Sequence, residues 1–356
     1  MKKSGIFYPI LLTAMVFIMS CAPPAVKTTM LVPAQYHEAS QLKEVAVLPF
    51  DGKGGKEFAA EIEGALASIN IGDTQYFNLV DRVRLEKIIS EMKLSQSALV
   101  DVGTAAKVGK LVGAKGIYTG VITESDSVDS SYYEERNRCI RTVTKYDKMG
   151  RPYTATEDYL MNRPFMTCDG KIEKYTVSCT KRIATFAFTP KLIEVETGRV
   201  VYSNNIRKSA DASVCSDSQK PLTSESELLD KAKEPGKQIF RTDIAPYYVT
   251  VEIKLMDSDE GITSKDAKTK LEQGIDFAKN NRLDRACELW GEARILSPDS
   301  PSLLYNLGIC SEVTGQLEQA LDLYKKVDRL LSKPDERVNA SLTRVQKRIN
   351  DQMKLK

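Results

Sequence analysis

The sequence predicts an α/β domain, its sheet covered by helices, followed by an all-α domain of helical repeats. Two observations carry that reading. From Val45 to Thr123, short apolar runs alternate with amphipathic helical segments, the pattern of crossover units laid on a sheet. Beyond Gly261, small and aromatic residues recur at a fixed period. At 356 residues the chain also exceeds one ordinary domain of ~100–200 residues. Its charge is nearly balanced, 51 Lys+Arg against 48 Asp+Glu, and no long basic run offers nucleic acid a footprint. His37 is the only histidine, which excludes His-based triads and His-rich zinc sites.

The elements follow in order. Lys2 and Lys3 precede an apolar stretch from Ile6 to Ser20 that Pro9 interrupts. A spanning helix needs ~20 residues, so residues 1–20 read as a secretory signal. The stretch ends Ile18-Met19-Ser20-Cys21, which resembles the bacterial lipobox and makes Cys21 the expected lipidation site. Several acyl chains on one cysteine anchor a protein stably where a single chain does not. Ala22 after the cysteine resembles the sorting pattern of outer-membrane lipoproteins, so the expected location is the outer membrane, facing the periplasm. Residues 21–44 lack periodicity and read as a lipid-anchored tether.

The periplasm permits disulfides. Cys139, Cys168, Cys179 and Cys215 crowd into one region and are the disulfide candidates; four cysteines allow three pairings, and the sequence chooses none. Cys287 and Cys310 read as small hydrophobes packed between helices. No spacing among the cysteines suits zinc.

The α/β domain is expected over 45–260. Val45 to Phe50 is an apolar strand, and Asp51 to Gly55 a glycine-rich loop. A helix carries Phe58, Ile62, Leu66 and Ile69 on one face, and Phe77 to Val80 is the next strand. Leu85, Ile88, Ile89 and Met92 mark a second helix. A third, Gly103 to Val112, ends at Gly113, before a strand from Gly116 to Thr123. Ala184–Val195 and Arg199–Ile206 flank a turn at Glu196-Thr197-Gly198, where Pro190 argues for an edge or a bulge. A polar helix near Ser224 to Arg241 and a strand from Tyr247 to Met256 are expected to close the domain. The loop Gly52-Lys53-Gly54-Gly55-Lys56-Glu57 matches neither phosphate-binding pattern and reads as a turn. No nucleophile has a base beside it, so no enzyme and no cofactor are expected beyond the covalent lipid.

These residues then carry a resemblance. Phe77-Asn78-Leu79-Val80-Asp81-Arg82, Leu85-Glu86-Lys87-Ile88-Ile89, Lys93-Leu94-Ser95-Gln96-Ser97, Gly109 to Ala114, Gly120 and the hairpin Leu192 to Val201 are similar to the CsgG family. That family includes the outer-membrane lipoprotein of curli secretion. Related α/β domains occur in TolB-like proteins and in lipoprotein activators of penicillin-binding proteins. The resemblance implies a sheet with an added β-hairpin. It also implies, for its secretion member, a ring of subunits that each donate two membrane hairpins to a barrel. Here the corresponding segments, a cysteine-bearing insert at 125–181 and Asn204 to Pro235, do not alternate apolar and polar residues as barrel strands must. A soluble, disulfide-stapled region is expected instead.

Residues 261–356 resemble two tetratricopeptide (TPR) repeats and a capping helix. Gly274, Ala286 and Trp290 recur 34 residues on as Gly308, Ala320 and Tyr324. Val338, Leu342, Val345, Ile349 and Met353 form the closing helix. In such repeats the concave face belongs to the first helix of each pair, which makes Leu271, Ile275, Tyr305, Ile309, Glu312 and Val313 the expected partner-binding set. The expected function is non-enzymatic: an outer-membrane lipoprotein acting as assembly or scaffold factor for an envelope or surface structure, binding a protein through that groove. The alternatives are an oligomeric export channel of the CsgG type and a regulator of a cell-wall synthase. The expected partners are a protein, the membrane through the anchor, and further copies of the chain, but no nucleic acid.

Overall fold

The computed structural model describes residues 23–160 and 168–355. The expected signal at 1–20 and the lipidation site Cys21 lie outside these residues. The elements, in chain order, begin with β1 (Ala25–Val32), α1 (His37–Gln41), β2 (Glu44–Val47), α2 (Gly55–Ala67), β3 (Asn70–Ile71), β4 (Thr74–Gln75) and β5 (Asn78–Leu79). Next are α3 (Arg82–Glu91), α4 (Gln96–Leu99), α5 (Val102–Val112), β6 (Gly116–Tyr146), β7 (Pro152–Leu160), β8 (Lys171–Glu194), β9 (Val200–Ser203) and β10 (Ile206–Cys215). The last are α6 (Glu225–Ile244), β11 (Tyr247–Lys254), α7 (Lys265–Lys279), α8 (Leu283–Leu296), α9 (Pro301–Val313), α10 (Leu317–Leu330) and α11 (Glu336–Leu355). They form two compact units, one Pro33–Tyr247, the other Met1–Val32 with Tyr248–Lys356.

The first unit is a mixed sheet ordered β10-β8-β6-β2-β5, with β7 added to β6 and β9 to β8. β2 pairs in parallel with β5 and β6, while β6, β7, β8, β9 and β10 are joined by antiparallel ladders. Side-chain alternation explains the two hydrophobic layers. Val45, Val47, Tyr118, Phe186 and Phe188 share one core with Phe58, Ile62 and Leu66 of α2 and Phe240 and Ile244 of α6. Ala46, Leu48, Ile117, Ile193 and Val195 share the other with Leu85 of α3 and Ala105, Val108 and Val112 of α5.

Side-chain caps set where helices begin. Asp81, Ser95, Asp101 and Ser224 each accept from the backbone N–H three residues on, at 2.8 to 3.3 Å. The glycine-rich loop is a turn: Gly52 and Gly54 have positive φ, and a Cβ on Gly55 would strike the Phe50 carbonyl. Pro190 needs no bulge. It faces the gap left between β9, whose pairing with β8 begins at Lys191, and β10, which ends its ladder at Phe188.

The insert at 125–181, expected to be disulfide-stapled, carries those disulfides and is mostly strand in its described residues. β6 runs 31 residues, about 100 Å at ~3.3 Å per residue. After a register shift between Ile122 and Glu124 it pairs with β8 out to Ile140↔Lys171, and β7 pairs with residues 138–146. The ribbon has no apolar stripe, which is why periodicity did not reveal it.

The second unit corrects two boundaries. The described part of the expected tether at 21–44, residues 23–44, is not free, because β1 pairs with β11 and buries Val26 and Met30 among the helices, and 37–41 is helical. Nor does the strand from Tyr247 close the α/β domain; from Tyr248 it belongs with the helical unit, where Ile253, Leu255 and Met256 are core. The physical reason is that α7, α9 and α11 present apolar surface that two short strands can cover.

Within that unit, the period of 34 puts glycine against ring. A Cβ on Gly274 would strike the Trp290 indole, and one on Gly308 the Tyr324 ring. Trp290 donates from its ring N–H to the Leu271 carbonyl at 3.2 Å, so its polar edge is satisfied while the rest is fully buried.

Candidate functional site

The expected partner-binding set does not form an open groove. Leu271, Ile275, Tyr305, Ile309 and Glu312 are all buried, and only Val313 is exposed, at 38%. The chain covers its own face. Asn306 grips the backbone of Met256, its amide donating to the Met256 carbonyl at 2.8 Å and accepting from the Met256 N–H at 3.0 Å. The Tyr305 hydroxyl lies 3.0 Å from Ser341 of α11, and the Glu312 carboxylate receives Arg344 at 2.7 and 2.8 Å and Arg348 at 3.3 Å. Tyr324 donates to the same carboxylate at 3.0 Å. Burial, then the neighbouring Glu312 charge, pushes the Tyr324 hydroxyl far up. Burial alone would lower Arg344, but its bonds to Glu312 outweigh this and raise it. The set is therefore a docking interface, but for the protein's own strand and helix. Glu312, on its row of apolar neighbours, was the residue that could have signalled an internal partner.

The cysteines correct a second expectation. Cys139 bonds Cys168, Cys179 bonds Cys215, and Cys287 of α8 bonds Cys310 of α9. The last pair is thus not free: their Cα atoms sit 5.9 Å apart, within bridging range. Glu134, Cys179 and Cys215 bring three ligand-type atoms within reach of one metal ion. Both sulfurs are bonded to each other, however, and offer no thiolate.

What remains accessible is the ribbon made by β6, β7, β8 and β10. Its strands are tied by ion pairs around one small apolar cluster, Val177, Cys179 and Cys215 with Tyr132 and Tyr175 packed on them. On one face, Arg136 donates to both Asp217 oxygens at 2.9 and 3.1 Å and to Glu134 at 2.8 Å, while Arg138 reaches Glu173 at 2.8 Å. The Tyr175 hydroxyl donates to Asp217 at 2.6 Å, a bond that, ahead of the Arg136 charge, holds that carboxyl below its usual range. On the other face, Arg182 makes two 2.7 Å bonds to Asp129, and Glu157 bridges Arg141 and Lys145. Between these pairs stand exposed apolar side chains, Val128 opposite Ile183 and, further out, Tyr133, Met149, Tyr153 and Ile172. Among the described residues, Lys171–Val177 of β8 pair only with β6, so one of their edges is open; at Ser178 the carbonyl already accepts from the Ser216 N–H at 2.9 Å. Such a surface can add a strand or bind a protein side chain.

One family model matches part of the chain. The family model for "Curli production assembly/transport component CsgG" matches residues 19–132. Their described part holds β1 of the helical unit, then α1 to α5 and the first part of β6. No curated protein matches the chain. Among solved structures, the LpoB C-terminal domain from Salmonella enterica is 12% identical, with a TM-score of 0.25, covering 49% of this chain and 94% of its own. Lipoprotein GNA1162 from Neisseria meningitidis is 12% identical, with a TM-score of 0.27, covering 54% of this chain and 92% of its own. Overlap at that level does not say what this chain does. Among the described residues, no helix is long and apolar enough to cross a membrane.

Proposed function

We propose that this chain is a lipid-anchored protein of the outer membrane that works without catalysis, as a scaffold or assembly factor for an envelope or surface structure. The observation that carries the reading is the ribbon. It continues the sheet far beyond the helix-covered part, is stapled by two disulfides and presents open strand edge with isolated exposed aromatics. Proteins build such extensions to be held by other proteins. The helical unit, read as two TPR repeats and a capping helix, rigidifies the chain instead of receiving a partner in its concave face. Lipid on Cys21 and periplasmic oxidation fit three disulfides in one chain.

The test is photo-crosslinking in intact cells from a benzophenone residue at Tyr133, which is 76% exposed. Discrete protein adducts support the reading. If neither Tyr133 nor Ile172 captures any protein, the ribbon is not a contact element.

A secretion channel is the second reading, because the matched family is described as an assembly/transport component and the ribbon leaves the sheet as a long hairpin. Against it, both ribbon faces carry Arg, Lys, Asp or Glu where a lipid-facing band would be apolar. Single-channel conductance from the purified protein in planar bilayers would reverse that preference.

A further inference from the structure

The short link between the lipidation cysteine and β1 constrains which surface meets the membrane. The Pro24 carbonyl accepts from the Leu255 N–H at 2.7 Å, so the ribbon of β1 and β11 is already hydrogen-bonded at residue 24. Leu255 is fully buried, Met256 is gripped by Asn306, and Arg337 of α11 reaches the Leu255 carbonyl at 3.4 Å. That end of the helical unit is therefore rigid. Cys21 precedes Pro24 by only three residues, a reach of about 11 Å at ~3.6 Å per residue even when fully extended. Pro23 and Pro24 fix their own φ and leave little slack to fold back.

We propose that the Pro24–Leu255 end of the helical unit rests against the phospholipid headgroups. The inference rests on acylation of Cys21, as read above. What lies beside that end is the loop after Met256, where Asp257, Asp259 and Glu260 are exposed and Lys268 pairs with Asp259 at 2.6 Å. A loop with excess negative charge is repelled by anionic lipid. The surface it fits is zwitterionic, and the covalent lipid, not charge attraction, holds it there. The segment that reads as a free tether is thus the element that pins the helical repeats to the bilayer.

The experiment uses the acylated full chain in phosphatidylcholine vesicles, with a fluorophore on Ser258→Cys and the three native disulfides verified by mass. Headgroup-quencher lipid is added, and fatty-acyl label on Cys21 is read in the same sample. The expected result is loss of emission from Ser258. A flexible Gly/Ser insertion between Ala22 and Pro23, about 20 residues with a span of ~25 Å, should restore it while acylation persists. Acylated protein whose Ser258 probe stays bright overturns the proposal and leaves the lipid reading standing. Quenching that survives the insertion overturns it too, because the short link would not be what places the unit. Absence of label on Cys21 removes the premise, and the proposal falls with it.

Discussion

Tyr118 is fully buried between Phe77 and Phe240, and its hydroxyl has no partner among the described residues. Burial pushes its ionisation far above the ordinary tyrosine value. A buried donor without an acceptor costs about 1–3 kcal/mol, so Tyr118→Phe should leave the melting temperature unchanged or raise it. A lower melting temperature by calorimetry would mean that the hydroxyl is satisfied. Glu312 has the opposite economy. Its carboxylate is fully buried and serves Arg344, Arg348 and Tyr324. Removing one member of a buried ionic cluster typically costs ~3–5 kcal/mol, because the remaining charges lose their partner. Arg344 and Arg348 are about one-fifth exposed, so Glu312→Ala should sit at the low end, ~3 kcal/mol, in urea unfolding of the full chain.

At the scale of elements, the ribbon should be the pH-sensitive part. Asp129, Glu157 and Asp217 are held below their ordinary values, Asp129 chiefly by Arg182, Glu157 by Lys145 and Asp217 by Tyr175. A depressed carboxyl stabilises the folded ribbon above the ordinary carboxylate range and loses that contribution as pH falls through its lower folded value. Amide exchange in β6 and β8, corrected for its intrinsic rate, should therefore speed up as pH drops below about 4, before the helix-covered strands respond. Uniform behaviour of the whole of β6 would contradict this. The disulfides add to the same element. Opening Cys139–Cys168, a separation of 29 residues, should cost about 3–4 kcal/mol in the chain-entropy model. Limited proteolysis of the Cys139→Ser, Cys168→Ser variant should cut between 140 and 170 and spare β2.

For the whole molecule, β1 is the informative segment. Val26 and Met30 lie in the core of the helical unit although more than 200 residues of chain separate them from its helices. Met30→Ala should destabilise that unit by about 2–4 kcal/mol, as large-to-small core changes do. The readout is exchange protection in α7 and α9, while protection in α2 and α5 should be unchanged. Equal loss in both units would show that they unfold as one.

Much of this was legible from the chain. The α/β alternation, the helices near Gly103 to Val112 and Ser224 to Arg241, the turn at Gly52–Gly55 and the spacing of Gly274 and Gly308 to their aromatics are local signals, carried by neighbours in sequence. Periodicity reads one element against the average solvent, and where a single buried face decides the element it suffices. The ribbon has only a small one, around Val177 and Cys179: its strands are held chiefly by cross-strand ion pairs and disulfides between residues tens of positions apart, which no local window contains. The same limit hid the fate of the expected groove. The apolar row Leu271, Ile275, Tyr305 and Ile309 announces that something must cover it, since exposed apolar surface of that extent is costly. Whether the cover is a foreign protein or the chain's own β1 and β11 depends on which surface arrives at higher effective concentration. Strands on the same chain have the higher effective concentration, and only the tertiary structure shows that they are the cover.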